Sequence, residues 1–330
     1  MAGGEPGSVA VVVPAYNAAD FLAETLTSIV EQTVDQWSCV VVDDGSTDAT
    51  ADVVAEFAAS DPRIRLVQQA NAGVAAARNT GIRATQSEYL LFLDADDLLE
   101  PDAIERLRAV LVAAPDAPAA HGTATVIDAG GGHSTARGYE QEFGRRRLVE
   151  AQRGPVLRPR TEPVPASSPT GPETLLLRNP VTTPGQALVR RSALQRTEWF
   201  DVEAPPSEDW DLWIRLSRQG PLEFLPEPII RYRSHEGGAS RQLSTMRKAE
   251  LRVRHKAVRA ARAATDGAGA GAERLARRGL RAVELTRAGE RARSAFHRLV
   301  RGDVREAGRD AVRTGSSLYQ VVWSLLPTVR

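Results

Sequence analysis

Residues 89–97 read Tyr89-Leu90-Leu91-Phe92-Leu93-Asp94-Ala95-Asp96-Asp97, an apolar run that stops at three carboxylates. A short, unbroken apolar run bounded by polar residues is the pattern of a strand buried on both faces, as in a parallel sheet covered by helices. Ligands of such sheets bind beyond the carboxyl ends of the strands. Asp94 and Asp96, one residue apart, bring hard oxygen donors to one point of that edge, a set suited to Mg²⁺ or Mn²⁺ shared with a phosphate.

Upstream, the β-branched run at 9–13 ends at Pro14-Ala15-Tyr16-Asn17, and Leu22, Leu26, Ile29 and Val30 then share one helical face. The run at 40–42 ends in Asp43-Asp44-Gly45-Ser46-Thr47-Asp48, where Ser46 or Thr47 can cap a helix carrying Val53, Val54 and Phe57. A third strand is expected at 64–67, with Asn71-Ala72-Gly73 leading into a helix that carries Val74, Ala77, Arg78 and Ile82. After residues 89–93, Pro101 suits the first turn of a helix with Ile104, Leu107 and Leu111 inward. This alternation implies a three-layer α/β/α sandwich around a parallel sheet with right-handed crossovers.

Beyond about residue 115 the periodicity fades, and Gly130 to about Pro172 reads as a long Pro- and Arg-rich insertion. A strand is expected at 186–189. Ser207-Glu208-Asp209-Trp210-Asp211-Leu212-Trp213 opens a helix that Gly220 stops, and two short segments at 222–225 and 229–232 lead to Arg231-Tyr232-Arg233-Ser234-His235. Residues 244–330 are Ala/Arg-rich and read as a separate helical appendage. The 330 residues carry a formal net charge of zero, which gives no argument for nucleic-acid binding. Cys39, alone in an apolar run, reads as a core thiol, and the missing disulfide framework fits a reducing cytoplasm. No window approaches the apolar length of a membrane span.

A carboxylate such as Asp43 or Asp44 can accept the imide N–H of uracil or thymine, with Pro14, Tyr16 and Asn17 lining base and ribose. The same residues also make an ordinary turn and helix cap. Asn71 and Arg78 are ambiguous in the same way, Arg78 being either a surface residue or a paired guanidinium that orients Asp94 or a base. An Asp-x-Asp alone often only ends a strand. Here a second acidic loop ends an earlier strand at the same expected edge, and such convergence is harder to ascribe to capping.

Pro14-Ala15-Tyr16-Asn17, Val42-Asp43-Asp44-Gly45-Ser46-Thr47-Asp48, Asn71 with Gly73 through Asn79-Thr80-Gly81, and Leu93-Asp94-Ala95-Asp96-Asp97 together resemble family 2 glycosyltransferases of the GT-A fold. The resemblance covers about residues 9–113, and Glu208-Asp209 and His235 extend it to about 240. It implies a catalytic domain over 1–243, with a nucleotide-sugar half at about 9–113, the insertion at about 130–172 and an acceptor half at about 173–243. It also implies a nucleotide-diphosphate sugar, taken here as a UDP-sugar, and inversion at the anomeric carbon. The diphosphate would be gripped by Asp94, Asp96 and a divalent cation, with His235 as a further metal ligand.

Inverting displacement needs a base on the acceptor side; Asp209 matches that position, with Glu208 holding the acceptor or tuning its neighbour, unless the two acids merely cap their helix. Arg231 or Arg233 would balance charge on the departing diphosphate. Trp210 and Trp213 share a helical face, at least one of them for core packing and the other for a sugar ring.

The Gln-x-x-Arg-Trp sequence of processive synthases is absent, which favours single addition to a glycan or lipid-linked acceptor. The basic tail with Leu318-Tyr319-Gln320-Val321-Val322-Trp323 suits peripheral contact with the inner face of a membrane, a packed hairpin or a dimer contact. The rivals are a nucleotidyltransferase, disfavoured because Pro14-Ala15-Tyr16-Asn17 is no Gly-rich triphosphate loop, and an inactive sugar-nucleotide-binding scaffold, disfavoured by the intact carboxylates.

Overall fold

The computed structural model describes residues 6–132, 146–148, 161–165, 168–176, 178–235 and 243–263. Its centre is β1 (Val9–Ala15), every residue of which is buried. β1 pairs in parallel with β2 (Trp37–Asp43) and β4 (Tyr89–Phe92), and β2 pairs in parallel with β3 (Ile64–Gln68). Between them run α1 (Ala19–Val30), α2 (Thr50–Ser60) and α3 (Val74–Ala84). This half agrees with the expected alternation.

The apolar runs are continuous because both faces of each strand are covered. Val9, Val11 and Val13 join Tyr89, Leu91 and Leu93 in a cluster with α1 and with Ile104, Leu107 and Leu111 of α4 (Ala103–Ala113). Val12, Leu90 and Phe92 point the other way, into a second cluster with Ala75 and Ile82 of α3. Each such side chain contributes about 1.5–3 kcal/mol of burial. Gly81 lets α3 lie against the sheet, since a Cβ there would sit 2.2 Å from Val12 Cγ1.

The second half of the sheet differs from the parallel expectation. β9 (Ala187–Arg190) runs antiparallel between β4 and β6 (Ala119–Ile127), with Leu91 opposite Leu188 and Ala120 opposite Leu188 on its two sides. β10 (Glu223–Arg233) then pairs in parallel with β6 and antiparallel with the short β5 (Leu98–Leu99). The two short segments expected at 222–225 and 229–232 are thus one strand with register shifts. The eight strands form a single sheet, β3-β2-β1-β4-β9-β6-β10-β5.

The insertion expected over about 130–172 lies mostly outside the described residues; within it β7 (Arg146–Leu148) and β8 (Thr161–Pro163) pair antiparallel. It is followed by α5 (Pro172–Leu175), a 3₁₀ turn (Pro184–Gln186), α6 (Arg191–Gln195) and α7 (Glu208–Leu216). α8 (Leu243–Ala263) opens the region read as an appendage, yet its Val253, Ala257 and Val258 enter the second cluster beside Trp213. Lys256 bridges Asp201 at 2.6 Å and Asp211 at 2.9 Å. The aromatic-apolar tail at 318–327 lies outside the described residues. Among those described, no helix is long and apolar enough to cross a membrane.

Candidate active site

Two loops meet at the carboxyl ends of β1 and β2. Asn17, at φ 49°, is in the left-handed region that Asn tolerates, and its amide oxygen accepts the Thr47 N–H at 2.9 Å, while its own N–H donates to Ser46 Oγ. Asn17 therefore braces one loop against the other instead of presenting its side chain to a ribose. Pro14 is buried within β1. Tyr16, more than half exposed, is the aromatic face left at this edge.

Asp43 and Asp44 differ in what occupies them. Asp44 accepts from Gln69 Nε2 and from the N–H groups of Ala72 and Gly73, all at 2.7–2.8 Å, so its work is to hold loop 69–73. Gly45 (φ +78°) permits that approach, because a Cβ would lie 3.0 Å from the Asn71 nitrogen. Asn71 itself is exposed. Asp43 accepts from the Ser46 N–H at 2.8 Å and Gln68 Nε2 at 3.1 Å, and the Ser46 hydroxyl also bears on it. Burial alone would raise its pKa, but those hydrogen bonds hold it below the ordinary carboxylate value. Asp43 thus stays ionised with lone pairs to spare.

The acidic run follows β4, and the β10–β5 register decides what faces it. Ile230 opposes Leu99 and Arg231 opposes Leu98, so continuing by two residues brings Arg233 to Asp96. There Arg233 is fully buried: Nε donates to Asp96 O at 2.9 Å, Nη1 to Ala129 O at 2.8 Å and Nη2 to Glu24 at 2.8 Å. Its backbone N–H donates to Asp97, which also accepts the Thr183 hydroxyl at 2.6 Å. Asp97 has no exposure; burial, with Asp96 and Asp94 alongside, pushes its pKa well up.

Arg233 and Asp97 are therefore structural, and the expected diphosphate role of Arg233 is corrected. Arg231 turns outward instead, 3.8 Å from Glu100, and lines a separate cavity against α1. It does not reach the acidic run either.

Asp94 and Asp96 do not share one point. Arg78 Nη2 donates to Asp94 Oδ1 at 2.6 Å, whereas Asp96 Oδ2 lies 2.8 Å from His235 Nε2. Burial and then Asp94 raise the Asp96 pKa, while His235 opposes the rise. The His235 ring packs on Phe21 at 4.8 Å. Among the described residues no group of three His, Cys, Asp or Glu side chains is placed to hold a metal. Asp96 with His235 does offer one oxygen and one nitrogen at a partly open position. That set fits Mg²⁺ or Mn²⁺ if a diphosphate and water complete the shell.

Arg78 also reaches the other half of the sheet. Its Nη1 donates to Glu208 Oε1 at 2.5 Å, so one buried guanidinium spans the Asp94 loop and the N-terminus of α7. Burial would lower the Arg78 pKa, but Asp94 and Glu208 together raise it. Arg78 Nε and Glu208 Oε2 are buried without a hydrogen-bond partner among the described residues.

Next to Glu208, Asp209 borders a cavity of about 210 Å³ lined also by Arg178, Asn179, Thr182, Trp210 and Arg254. It accepts a long hydrogen bond from Asn179 Nδ2, at 3.3 Å, and the Trp210 N–H also bears on it. Burial, then the Glu208 charge, raise its pKa to about 7. Trp213 is wholly buried, and Trp210 donates to Leu175 O at 2.7 Å with Arg254 stacked 4.3 Å above its ring. Trp213 packs the interior, while Trp210, nearly buried, forms part of the cavity wall beside Asp209.

Three further residues, not read as site residues from the sequence, hold this geometry. Asn79 exchanges hydrogen bonds with the Phe200 backbone at 2.8 and 3.0 Å, Thr183 holds Asp97, and Gln186 donates to Gly122 O at 3.0 Å. Asn79 lies within a quoted motif, the one signal that was available.

With this geometry in place, similarity to known proteins is informative. The profile of the family described as glycosyl transferase family 2 matches residues 10–197. The chain belongs to glycosyl transferase family 2. Glycosyltransferase GlyA of Streptococcus pneumoniae is 44% identical over 99 residues, 30% of this chain and 14% of that protein. A Haemophilus influenzae protein described as an uncharacterized glycosyltransferase is 28% identical over 234 residues, 69% of this chain and 65% of its own length.

The chain thus spans only a small part of GlyA, and 30% of the putative glycosyltransferase EpsH of Bacillus subtilis. Among solved structures, TarS 1-349 of S. aureus in complex with UDP-GlcNAc superposes with a TM-score of 0.60 at 19% identity, covering 82% of this chain and 70% of that one. The mannosyltransferase PcManGT of Pyrobaculum calidifontis, in complex with GDP-Man and Mn²⁺, gives 0.54 at 20% identity, covering 94% and 87%. These two likenesses show the fold, of GT-A type.

Proposed function

We propose that this family 2 chain is an inverting glycosyltransferase that moves one sugar from a nucleoside-diphosphate sugar, a UDP-sugar, to a hydroxyl of a glycan or lipid-linked acceptor. The observation that carries the reading is Asp209. It is a carboxyl with a pKa raised to about 7, bordering a cavity, and only the Glu208–Arg78–Asp94 chain separates it from the strand-end acids. A base poised near neutrality is what proton removal from an acceptor alcohol requires.

In the proposed reaction the acceptor O–H donates to Asp209 as its oxygen attacks the anomeric carbon. The bond from that carbon to the diphosphate breaks on the opposite face, and the proton stays on Asp209. Asp43, ionised and with free lone pairs, accepts the uracil imide N–H, and Tyr16 supplies a flat surface for the base. Asp96 and His235 are the pair suited to hold Mg²⁺ or Mn²⁺, whose charge would stabilise the leaving diphosphate. Arg78 keeps Asp94 and Glu208 in fixed relation, so that donor and base sides share one frame.

The test is calorimetric titration with UDP, dTDP, GDP and CDP, each with and without Mn²⁺, on wild type and Asp96→Ala. Transfer assays with a UDP-sugar panel and NMR of the product anomer follow. Mn²⁺-dependent UDP or dTDP binding that Asp96→Ala loses, with an inverted product, is the expected result. No nucleotide binding at any metal concentration would reject the donor site.

A further inference from the structure

Helix α8 lies outside residues 10–197, the segment that the family profile matches, yet its Val253, Ala257 and Val258 share a core cluster with Leu212 and Trp213 of α7. Lys256, between these apolar positions, joins α8 to two other elements. Its ammonium lies 2.6 Å from Asp201 and 2.9 Å from Asp211. The Asp211 carboxylate is almost fully buried and also accepts Arg215 Nε at 2.8 Å, and Arg215 donates to the carbonyls of Glu198 and Trp199. Alternating charges, Arg215–Asp211–Lys256–Asp201, thus tie α7, α8 and loop 198–201 together. Polar networks whose members are all satisfied rigidify what they join.

The network closes on the active site. Phe200, in the same loop, has its N–H and C=O bonded to Asn79 of α3, and the preceding Arg78 holds Glu208 at the head of α7. The path from Arg78 through Glu208, Asp211, Lys256, Asp201 and Phe200 therefore returns to α3. Asp209 sits within it, beside Glu208. Glu250 and Arg254, on the same helix as Lys256, line the cavity on which Asp209 opens, so the seating of α8 decides how far water reaches that carboxyl.

Lys256 itself lines a different cavity, of about 540 Å³, with Asp201 and Trp199. The charged groups that act on Asp209 or share its cavity are Glu208, Arg78 and Asp94, with Arg178, Glu250 and Arg254 in the wall. The influence of Lys256 on Asp209 accordingly runs through position.

We propose that Lys256 is a positioning residue for Asp209: its bridge to Asp201 and Asp211 seats α8 against α7 and keeps the cavity wall beside Asp209 closed. The inference rests on the transferase reading, in which Asp209 is the base, and extends that site to a helix beyond the family profile.

The test is a set of thermal melts of the full chain that needs no acceptor. Asp209→Asn raises Tm at pH 8, where it removes a charge held in a dry site, and not at pH 4. In a Lys256→Met background this pH-dependent gain falls by at least about half, because the carboxylate is then hydrated. Lys256→Arg, which keeps a cation between the two carboxylates, retains most of the gain. Asp201→Asn, a milder change that leaves Asp211 paired, gives a smaller loss of the same sign. Leu107→Ala, in the core cluster on the other face of the sheet, lowers Tm by opening a cavity but leaves the gain intact.

The proposal is overturned if the gain survives unchanged in Lys256→Met, if Leu107→Ala loses it equally, or if wild type shows no gain at all. Calorimetric titration of wild type and Lys256→Met with UDP and Mn²⁺ separates the two readings. UDP affinity equal in both, with the gain lost in Lys256→Met, places the effect on the base side alone. UDP binding with the gain unchanged removes only the positioning role, whereas absence of UDP binding by wild type removes the transferase reading beneath it.

Discussion

Asp209→Asn keeps the shape of the side chain and removes its charge. In the folded protein burial and Glu208 hold this carboxyl at about 7, against an ordinary value of 3.8. Below the ordinary value it is protonated in both folded and unfolded chains. As the pH rises towards 7 the unfolded chain releases the proton first, so stability is lost across that window and stays lost above it. Three units at about 1.36 kcal/mol each set an upper limit of about 4 kcal/mol. Because the carboxyl borders a cavity, screening reduces this to about 2 kcal/mol.

Asp209→Asn therefore stabilises the protein by about 2 kcal/mol at pH 8, roughly 5 °C in Tm, and by almost nothing at pH 4. Paired thermal melts of wild type and variant at the two pH values read this directly. The same group sets the rate: wild-type kcat/KM rises about tenfold per pH unit below 7 and levels above it, and the variant falls by about 10²–10⁴. A Tm difference that is equal at both pH values, or an acid limb centred near 4, would refute the assignment of Asp209 as the elevated carboxyl.

Arg78→Met strands the buried Glu208 and unpairs the partly exposed Asp94, and costs about 3–5 kcal/mol in denaturant unfolding, most of it recovered by adding Glu208→Gln; simple additivity would show that the ion pair is not coupled. Gly81→Ala drives a methyl into Val12 and costs about 1–3 kcal/mol, measured as a lowered denaturation midpoint at unchanged m-value; no shift would mean that α3 is free to move off the sheet. Asp43→Asn replaces an acceptor-only group by one that also donates, so UDP binding weakens about tenfold while CDP, whose ring nitrogen accepts, gains. Titration with both nucleotides checks this, and equal losses would place the base elsewhere.

The parallel half of the sheet was legible because Val9, Val11 and Val13 are buried against one helical layer and Val12 against the other, which writes a continuous apolar run into the sequence. The acidic run and the Glu208-Asp209 pair were legible as motifs. β6 was not. It is buried, but by small and polar residues: a Cβ on Gly122 would lie 2.7 Å from Ile229, and His121 is satisfied by Thr170 at 2.8 Å. Close approach of chains removes the hydrophobic signal on which periodicity depends.

The strand β9 was expected, but not its antiparallel direction, since three apolar residues carry no information about direction. Arg231 and Arg233 share a face of β10 by strand alternation, and nothing in their residue type told that Arg233 is buried under the acidic loop while Arg231 meets Glu100. Asp43 and Asp44 look equivalent in sequence and are both buried; only the donors around them show that Asp44 holds loop 69–73 while Asp43 holds Ser46 and Gln68.

Arg233 ties the Asp96 carbonyl, the Ala129 carbonyl and Glu24 of α1 together, while its own backbone anchors Asp97. The acidic loop is thus fixed before any donor arrives. Polar groups that already point where charge will appear need no reorientation as the diphosphate departs, which is the reorganisation energy that water cannot avoid. In the proposed reaction that energy is met once, during folding, by the buried Arg233. Glu24 and Phe21 of α1, which meet the Arg233 guanidinium, are thereby part of what holds the acidic loop in place.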